Sequence, residues 1–227
     1  MGNTKSYGQY CPIAITAEII CQRWTVLVLR AFFLGATRFS EIQKSAPLMS
    51  SALLTQRLRE LETAGIIRKQ KMSGSNSYQL TPSGEALFPI LDQMGSWSQT
   101  WLRREITNEE NLDPDVLMWE LRRANLDCED ISRRRRVAHF MLTGTTPTKR
   151  NYWLVFEPED TDICTKDPGH EVDIWISAHI KTLVEIWLGH RTIAKAVDDD
   201  LLILEGNQSE INHFHNWFSL SHFASKA

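Results

Sequence analysis

Ser50-Ser-Ala-Leu-Leu-Thr-Gln-Arg-Leu-Arg-Glu-Leu-Glu-Thr-Ala-Gly65 is the stretch from which the rest of the chain can be read. Leu54, Leu58 and Leu61 recur at helical spacing and form one apolar stripe, with Leu53 at its edge. Ser50 or Ser51 can cap the start by accepting from an orphan N–H of the first turn. Gly65 can take the left-handed conformation that ends a helix. The spacing predicts a helix buried along its leucines. Its opposite face carries Ala52, Gln56, Arg59 and Thr63, with Thr55 beside them. Amide, hydroxyl and guanidinium groups on one helix face are the types that reach base edges and phosphates in a DNA major groove. An ordinary amphipathic surface helix has the same pattern, so the neighbouring segments decide.

Upstream, Thr37 to Ser45 predicts a short helix capped by Thr37, with Phe39 and Ile42 facing inward and Pro47 breaking it. Two helices separated by a tight turn, the second with a polar outer face, make a helix-turn-helix. Downstream, Ile66 to Met72 and Ser77 to Leu80 read as two strand arms around a Ser73–Asn76 turn. The hairpin is basic through Arg68, Lys69 and Lys71. A basic hairpin placed directly after a helix-turn-helix reads as the wing of a winged helix, where Lys and Arg meet phosphates or the minor groove. Candidate DNA contacts are therefore Arg38, Ser50, Ser51, Thr55, Gln56, Arg59, Lys69, Lys71, Ser75 and Asn76.

On the N-terminal side, Cys11-Pro12 opens a helical stretch with Ile13, Ile15, Ile19 and Ile20. Trp24 to Leu34 is almost continuously apolar and predicts a buried core helix. After the hairpin, Thr81-Pro82 opens a helix of roughly 20 residues, with Pro at its first position. Leu87, Leu91, Met94 and Trp101 share one side of it, flanked by Ile90 and Trp97. So long and apolar a helix predicts a dimer contact; packing against the second half of the chain is the competing use.

Residues 8–105 resemble the HxlR-type winged-helix transcription regulators, relatives of the MarR group. The resemblance is carried by Cys11-Pro12, Arg23-Trp24-Thr25-Val26-Leu27, Arg38-Phe39-Ser40-Glu41-Ile42, the run Leu54 to Glu62, Ala64-Gly65-Ile66-Ile67 and the run Tyr78 to Gly84. It implies a cytoplasmic bacterial or archaeal homodimer that binds a near-palindromic double-stranded DNA operator and is not an enzyme. Ala52 stands where the family often has a basic residue, so its methyl group cannot make the phosphate or base contact that a basic residue would. Cys11 matches a position at which several members carry a redox-sensing cysteine. Sensing needs exposure and a lowered thiol pKa; a cysteine is equally a small buried hydrophobe.

The two halves differ in charge. Residues 1–105 hold 12 Lys and Arg against 7 Asp and Glu, whereas residues 106–227 hold 13 against 21, for an overall net charge of −3. A basic first half points to a polyanion partner for that half alone. We read residues 1–105 as the DNA-binding and dimerisation domain, 106–113 as a polar linker and 114–227 as a second domain. There, Asp115 to Asn125 predicts a helix. Val137–Leu142, Tyr152–Phe156, Thr161–Thr165, Val172–Ile176 and Leu201–Gly206 predict strands. Helices are expected from about His179 to Leu188, over Thr192–Val197, and around Ile211, Phe214, Trp217 and Phe218. Arg133 to Arg136 reads as a solvated face paired with Asp127, Glu129 and Asp130 rather than a second nucleic-acid patch.

This half resembles the sterol carrier protein fold, through Val172-Asp173-Ile174-Trp175-Ile176, Leu183 to Gly189, Ala194-Lys195-Ala196-Val197 and Leu201 to Asn207. The expected fold class is α+β throughout: a winged helix followed by a sterol-carrier-like domain with a small sheet and an apolar cavity. That resemblance implies an apolar or lipid-like small-molecule ligand, for which Trp153, Phe156, Trp175, Ile186 and Trp187 are the lining candidates.

Other classes find little footing. Four scattered cysteines without a CxxC pair fit a reducing compartment. No apolar run approaches the roughly 20 residues of a membrane span, and no signal-peptide core opens the chain. Walker, GxSxG and HExxH motifs are absent, so no cofactor is expected. His213 and His215 would lie about 200° apart on a helix, too far round to share a metal. The expected function is DNA-binding transcription regulation controlled by an apolar effector. The alternatives are redox regulation through Cys11, or a hydrophobic-metabolite carrier whose winged helix serves protein contact.

Overall fold

The computed structural model describes residues 6–72, 75–124, 135–157, 161–212, 214–218 and 220–224. Two compact units divide the chain, Met1–Met94 and Gly95–Ala227.

The first unit is built from α1 (Pro12–Ile20), α2 (Thr25–Phe33), α3 (Phe39–Lys44), α4 (Ser51–Thr63), the antiparallel pair β1 (Ile67–Met72) and β2 (Ser75–Leu80), α5 (Pro82–Glu85) and the start of α6 (Phe88–Trp101). Leu54, Leu58 and Leu61 of α4 are buried together with Val28, Leu29, Ile42 and Ile67. Leu87 and Leu91 pack against the same core. Ser50 caps α4, its hydroxyl accepting from the Leu53 N–H at 3.3 Å. Gly65 ends it with φ +71°, a conformation that a Cβ would strain.

Three local expectations need correction. Thr37 does not cap α3. Glu41 does so by reaching back, its Oε2 accepting from the N–H groups of Thr37 and Arg38 at 2.8 and 3.0 Å. The hairpin turn is shorter than Ser73–Asn76, because Ser75 and Asn76 already pair with Met72 and Lys71 in the ladder. The single helix after Thr81 is two, α5 and α6. Pro89, at the second position of α6, lacks an N–H and its ring conflicts with a continuous helix running back through Glu85. Thr81 and Pro82 do open α5 as expected, with the Thr81 hydroxyl accepting from Gly84 N–H.

The second unit continues α6 and adds α7 (Arg103–Ile106), a 3-10 turn at Glu109–Asn111, and α8 (Pro114–Ala124). Next come β3 (Arg136–Thr143), β4 (Asn151–Phe156), β5 (Thr161–Cys164), β6 (Ile174–His179), α9 (Ile180–Trp187), α10 (Ile193–Asp198), β7 (Leu202–Gly206), α11 (Gln208–Asn212) and α12 (Phe214–Trp217). One mixed sheet orders them β5-β4-β3-β6-β7, with β3 and β6 parallel and every other neighbour antiparallel. The strand expected over Val172–Ile176 starts at Ile174 and runs on to His179. Asp173 is instead occupied with Val137, whose N–H it accepts through Oδ2 at 2.8 Å.

Strand alternation gives this sheet one core face. Ala138, Phe140, Leu142, Tyr152, Leu154, Phe156, Ile174, Ile176 and Ala178 are buried there with Leu117 and Leu121 of α8, Leu183 and Ile186 of α9, and Phe214 and Phe218. The start of α8 is fastened to β4: Tyr152 Oη donates to Asp115 Oδ1 at 2.6 Å, and Lys149 bridges Asp113 and Asp115 at 3.1 and 2.7 Å. Of the arginine run, Arg135 pairs with Glu157 and Arg136 with Glu210. Arg133, Arg134 and their expected acidic partners lie outside the described residues.

Candidate nucleic-acid interface

The apolar stripe of α4 is spent on the core, so the opposite side is presented outward. Ser50, Ser51, Gln56 and Arg59 are all exposed. Thr55 is half-buried, and its Oγ1 donates to the Ser51 carbonyl at 2.8 Å, which leaves that hydroxyl lone pairs but no proton for a ligand. Arg59 makes no ion pair among the described residues. Gln56 is engaged: its Nε2 donates to Glu60 Oε1 at 2.8 Å. The other carboxylate oxygen of Glu60 accepts from Arg57 Nη1, and Arg57 Nε donates to the Arg23 carbonyl at 3.1 Å.

The wing is attached to the helix-turn-helix through its backbone. Tyr78 N–H donates to the Thr37 carbonyl at 2.8 Å, and Arg38 forms an antiparallel bridge with Ser77. Arg38, exposed at the start of α3, is therefore held beside β2. Lys69 and Lys71, two residues apart on β1, share one face of the hairpin opposite Tyr78 and Asn76. Lys69 Nζ lies 6.0 Å from the centroid of the Tyr78 ring. Burial, and the nearby Glu62 carboxylate, push the Tyr78 phenol up, opposed by Arg59. The end of α4 and the wing thus share one electrostatic neighbourhood. Asn76 is exposed on β2; the side chain of Ser75 lies outside the described residues, as do Ser73 and Gly74.

Arg38, Ser50, Ser51, Gln56, Arg59, Lys69, Lys71 and Asn76 are all exposed side chains of one unit, in the order helix, turn, helix, basic hairpin. The family profile of HxlR-like helix-turn-helix proteins matches residues 19–106. The uncharacterized HTH-type transcriptional regulator YvaP of Bacillus subtilis is 33% identical over 99 residues, which span 42% of this chain and 92% of that protein. This chain belongs to the HxlR-like helix-turn-helix family. The uncharacterized HTH-type regulator sll1512 of Synechocystis is 35% identical over 101 residues, covering 43% of this chain and 75% of that one. The solved structure of the redox regulator HypR in its reduced form is 30% identical, with a TM-score of 0.38, over 40% of this chain and 92% of that chain. The family match falls within the first 106 residues.

Sequence reasoning missed Glu60 and Arg57. Glu60 stands three residues after Arg57 and four after Gln56, which was the readable signal, since such neighbours meet on a helix surface.

The ligand candidates of the second unit are not brought together. Phe156 and Ile186 are buried in the core, with Trp187 packed against it. Trp153 and Trp175 stand on the opposite face of the sheet, each across from His139. The expectation that all five line one enclosure is corrected by the alternation of β4 and β6. Cys11 is half-buried just before α1, with no disulfide partner among the described residues. His213 lies outside the described residues. Among the described residues no cluster of His, Cys, Asp or Glu is placed to hold a metal, and no single helix is long and apolar enough to cross a membrane.

Proposed function

We propose that the chain is a dimeric, operator-binding transcription regulator whose α+β unit senses an apolar small molecule. The observation that carries the DNA-binding part is the outward face of α4, where Arg59 has no ion-pair partner among the described residues and stands near a wing that bears Lys69 and Lys71. Guanidinium and ammonium groups so placed meet phosphates, and the exposed amide and hydroxyls of the same helix can meet base edges. A homodimer is supported by α6, which carries Ile90, Met94, Trp97 and Trp101 at 42–69% exposure. Two-fold pairing gives two recognition helices that a near-palindromic operator can match.

The sensor part rests on the second unit. Its order of one helix, four strands, two helices and a last strand is the order of elements expected from the sequence, and it supports the reading. Phe156, Ile186 and Trp187 belong to its apolar side and are the retained lining candidates. The test is selection of bound sequences from a randomised DNA library by the full-length protein, combined with native mass spectrometry of freshly purified material. Enrichment of a two-fold motif, a dimer mass and a co-purified apolar molecule are expected. A protein that enriches no sequence refutes the regulator reading.

A second reading, redox regulation, is favoured by the partial exposure of Cys11. Diamide treatment would then lower DNA binding in the wild type and leave Cys11→Ser unaffected; equal loss in both rejects it.

A further inference from the structure

Gln56 is oriented before any DNA arrives. Its Nε2 donates to Glu60 Oε1 at 2.8 Å. A carboxylate accepts and cannot donate, so chemistry alone sets the amide's direction: nitrogen toward Glu60, oxygen away from it. Glu60 is itself held, because its Oε2 accepts from Arg57 Nη1. Arg57 is anchored in turn by donating from Nε to the Arg23 carbonyl at 3.1 Å. Exposure falls along this series of hydrogen bonds, from an exposed Gln56 through Glu60 at 45% to Arg57 at 12%. The orientation therefore rests on a nearly buried, backbone-anchored guanidinium rather than on a loose surface pair.

An unconstrained glutamine in a major groove pairs with adenine through both ends of its amide, N6 to the oxygen and N7 to the nitrogen. Here one amide hydrogen is already committed and the nitrogen is drawn one helical turn onward toward Glu60. The oxygen is the atom left to lead. Adenine N6 and cytosine N4 present amine donors to it, whereas guanine O6 and thymine O4 present acceptors that it repels. The Glu60 carboxylate beside it repels those keto oxygens too.

We infer that Gln56 discriminates amino bases from keto bases at one position of each half-site, and that Glu60 is the positioning residue that makes it do so. The inference rests on the DNA-binding role proposed above.

The test is selection from a randomised duplex library with full-length wild type, Gln56→Ala, Glu60→Ala and Glu60→Gln, with circular dichroism melting to verify folding. For the wild type, one position on one strand should favour adenine or cytosine over guanine or thymine by about fivefold or more, the low end for a specific base contact. Gln56→Ala should bring that ratio close to one. Glu60→Ala should lower it at the same position only, because the released amide can turn and donate to keto oxygens. Glu60→Gln should shift it toward guanine or thymine, because its one carbonyl oxygen goes to the charged Arg57 and its amide nitrogen then faces Gln56, which turns its own oxygen to that nitrogen. A merely structural role for Glu60 would weaken all sequences alike and leave the ratio unmoved. A wild-type ratio retained in Glu60→Ala, or no position that depends on Gln56, overturns the inference while a defined motif still supports the regulator. A wild type that enriches nothing fails at the DNA-binding step itself.

Discussion

Trp153 lies flat on His139, with ring centroids 4.3 Å apart and planes 3° from parallel. The pair belongs to a row that crosses the whole sheet on the face away from the core: Cys164, Trp153, His139, Trp175 and Glu205, each opposite the next. Aromatic residues of this unit therefore fall into two populations. Phe156 is enclosed together with Ile186, whereas Trp175 is 36% exposed.

Truncation should separate these populations. Leu154→Ala, at a fully buried core position, should cost about 2–5 kcal/mol of stability through reduced burial and the cavity left behind. Trp175→Ala should cost a small fraction of that. Chemical denaturation of the two variants checks this, and equal destabilisation would mean that the outer face is as tightly packed as the core.

Charge on the winged helix should act uniformly on DNA. Arg59→Ala, Lys69→Ala and Lys71→Ala should each weaken binding to every sequence tested. Each should also flatten the plot of log affinity against log salt by about 0.9 for every phosphate that is no longer neutralised. Titrations at several salt concentrations measure the slope. An unchanged slope in all three variants would remove the wing and the end of α4 from the interface.

How far such features are legible in the sequence depends on their range. Helix α4 and the hairpin after it follow from local signals: leucine spacing, Ser50 as cap, Gly65 as stop. The break between α5 and α6 was equally local, written in Pro89, yet the apolar spacing around it dominates a periodicity reading. The division of the tryptophans was also within reach. Residues 153 and 156 differ by an odd number, so one strand must send them to opposite faces. The sheet order was not. Placing β6 parallel to β3, with β4 and β5 on the other side, depends on pairings far apart in the chain. The Gln56–Glu60–Arg57 network depends on a carbonyl 34 residues away.

Assembly should fail when α6 is charged. Met94→Glu and Trp101→Glu would each place a carboxylate in an apolar interface between copies, where an unpaired charge is costly. Sedimentation should show a monomer for the variants and a dimer for the wild type at micromolar concentration. Affinity for a two-fold operator should fall in parallel. A monomeric wild type, or variants that remain dimeric with an unchanged circular dichroism spectrum, would refute the α6 interface.

Acid should loosen the second unit at one identifiable group. Gln99 is buried; it donates from Nε2 to the Leu188 carbonyl at 3.2 Å and accepts at Oε1 from His190 Nε2, 2.6 Å away. Burial holds the His190 pKa below its ordinary value, reinforced by Arg103 and opposed by Glu185. The unfolded chain then takes up a proton at higher pH than the folded one, so this contribution to stability is present above the ordinary histidine pKa of about 6.5 and declines as pH falls below it. The thermal midpoint should drop between pH 7.5 and 5.5, and the drop should be smaller in His190→Gln. Identical pH profiles for the two proteins would show that His190 does not titrate across this range.

The remaining expectation is that ligand and operator binding are coupled, with α6 as the physical link. Leu87 and Leu91 contribute to the core of the first unit, and the same chain segment continues into the second, where Gln99 is hydrogen-bonded and Gly95 lies against Phe223. A Cβ at Gly95 would collide with the Phe223 ring, so this close approach requires glycine. A ligand that stiffens the second unit would change how firmly α6 is held, and with it the spacing of the two recognition helices that must match the DNA repeat. A coupling of about 1–3 kcal/mol changes operator occupancy by roughly 5- to 150-fold, and by reciprocity DNA must change ligand affinity by the same factor. Palmitate, titrated by quenching of tryptophan emission with and without the selected operator, provides the measurement. Two different dissociation constants are expected for the wild type, and nearly equal ones for Gly95→Leu, whose side chain would displace Phe223. Equal constants in the wild type would exclude coupling for this ligand. Normal regulation in cells by residues 1–105 alone would exclude the second unit as the sensor.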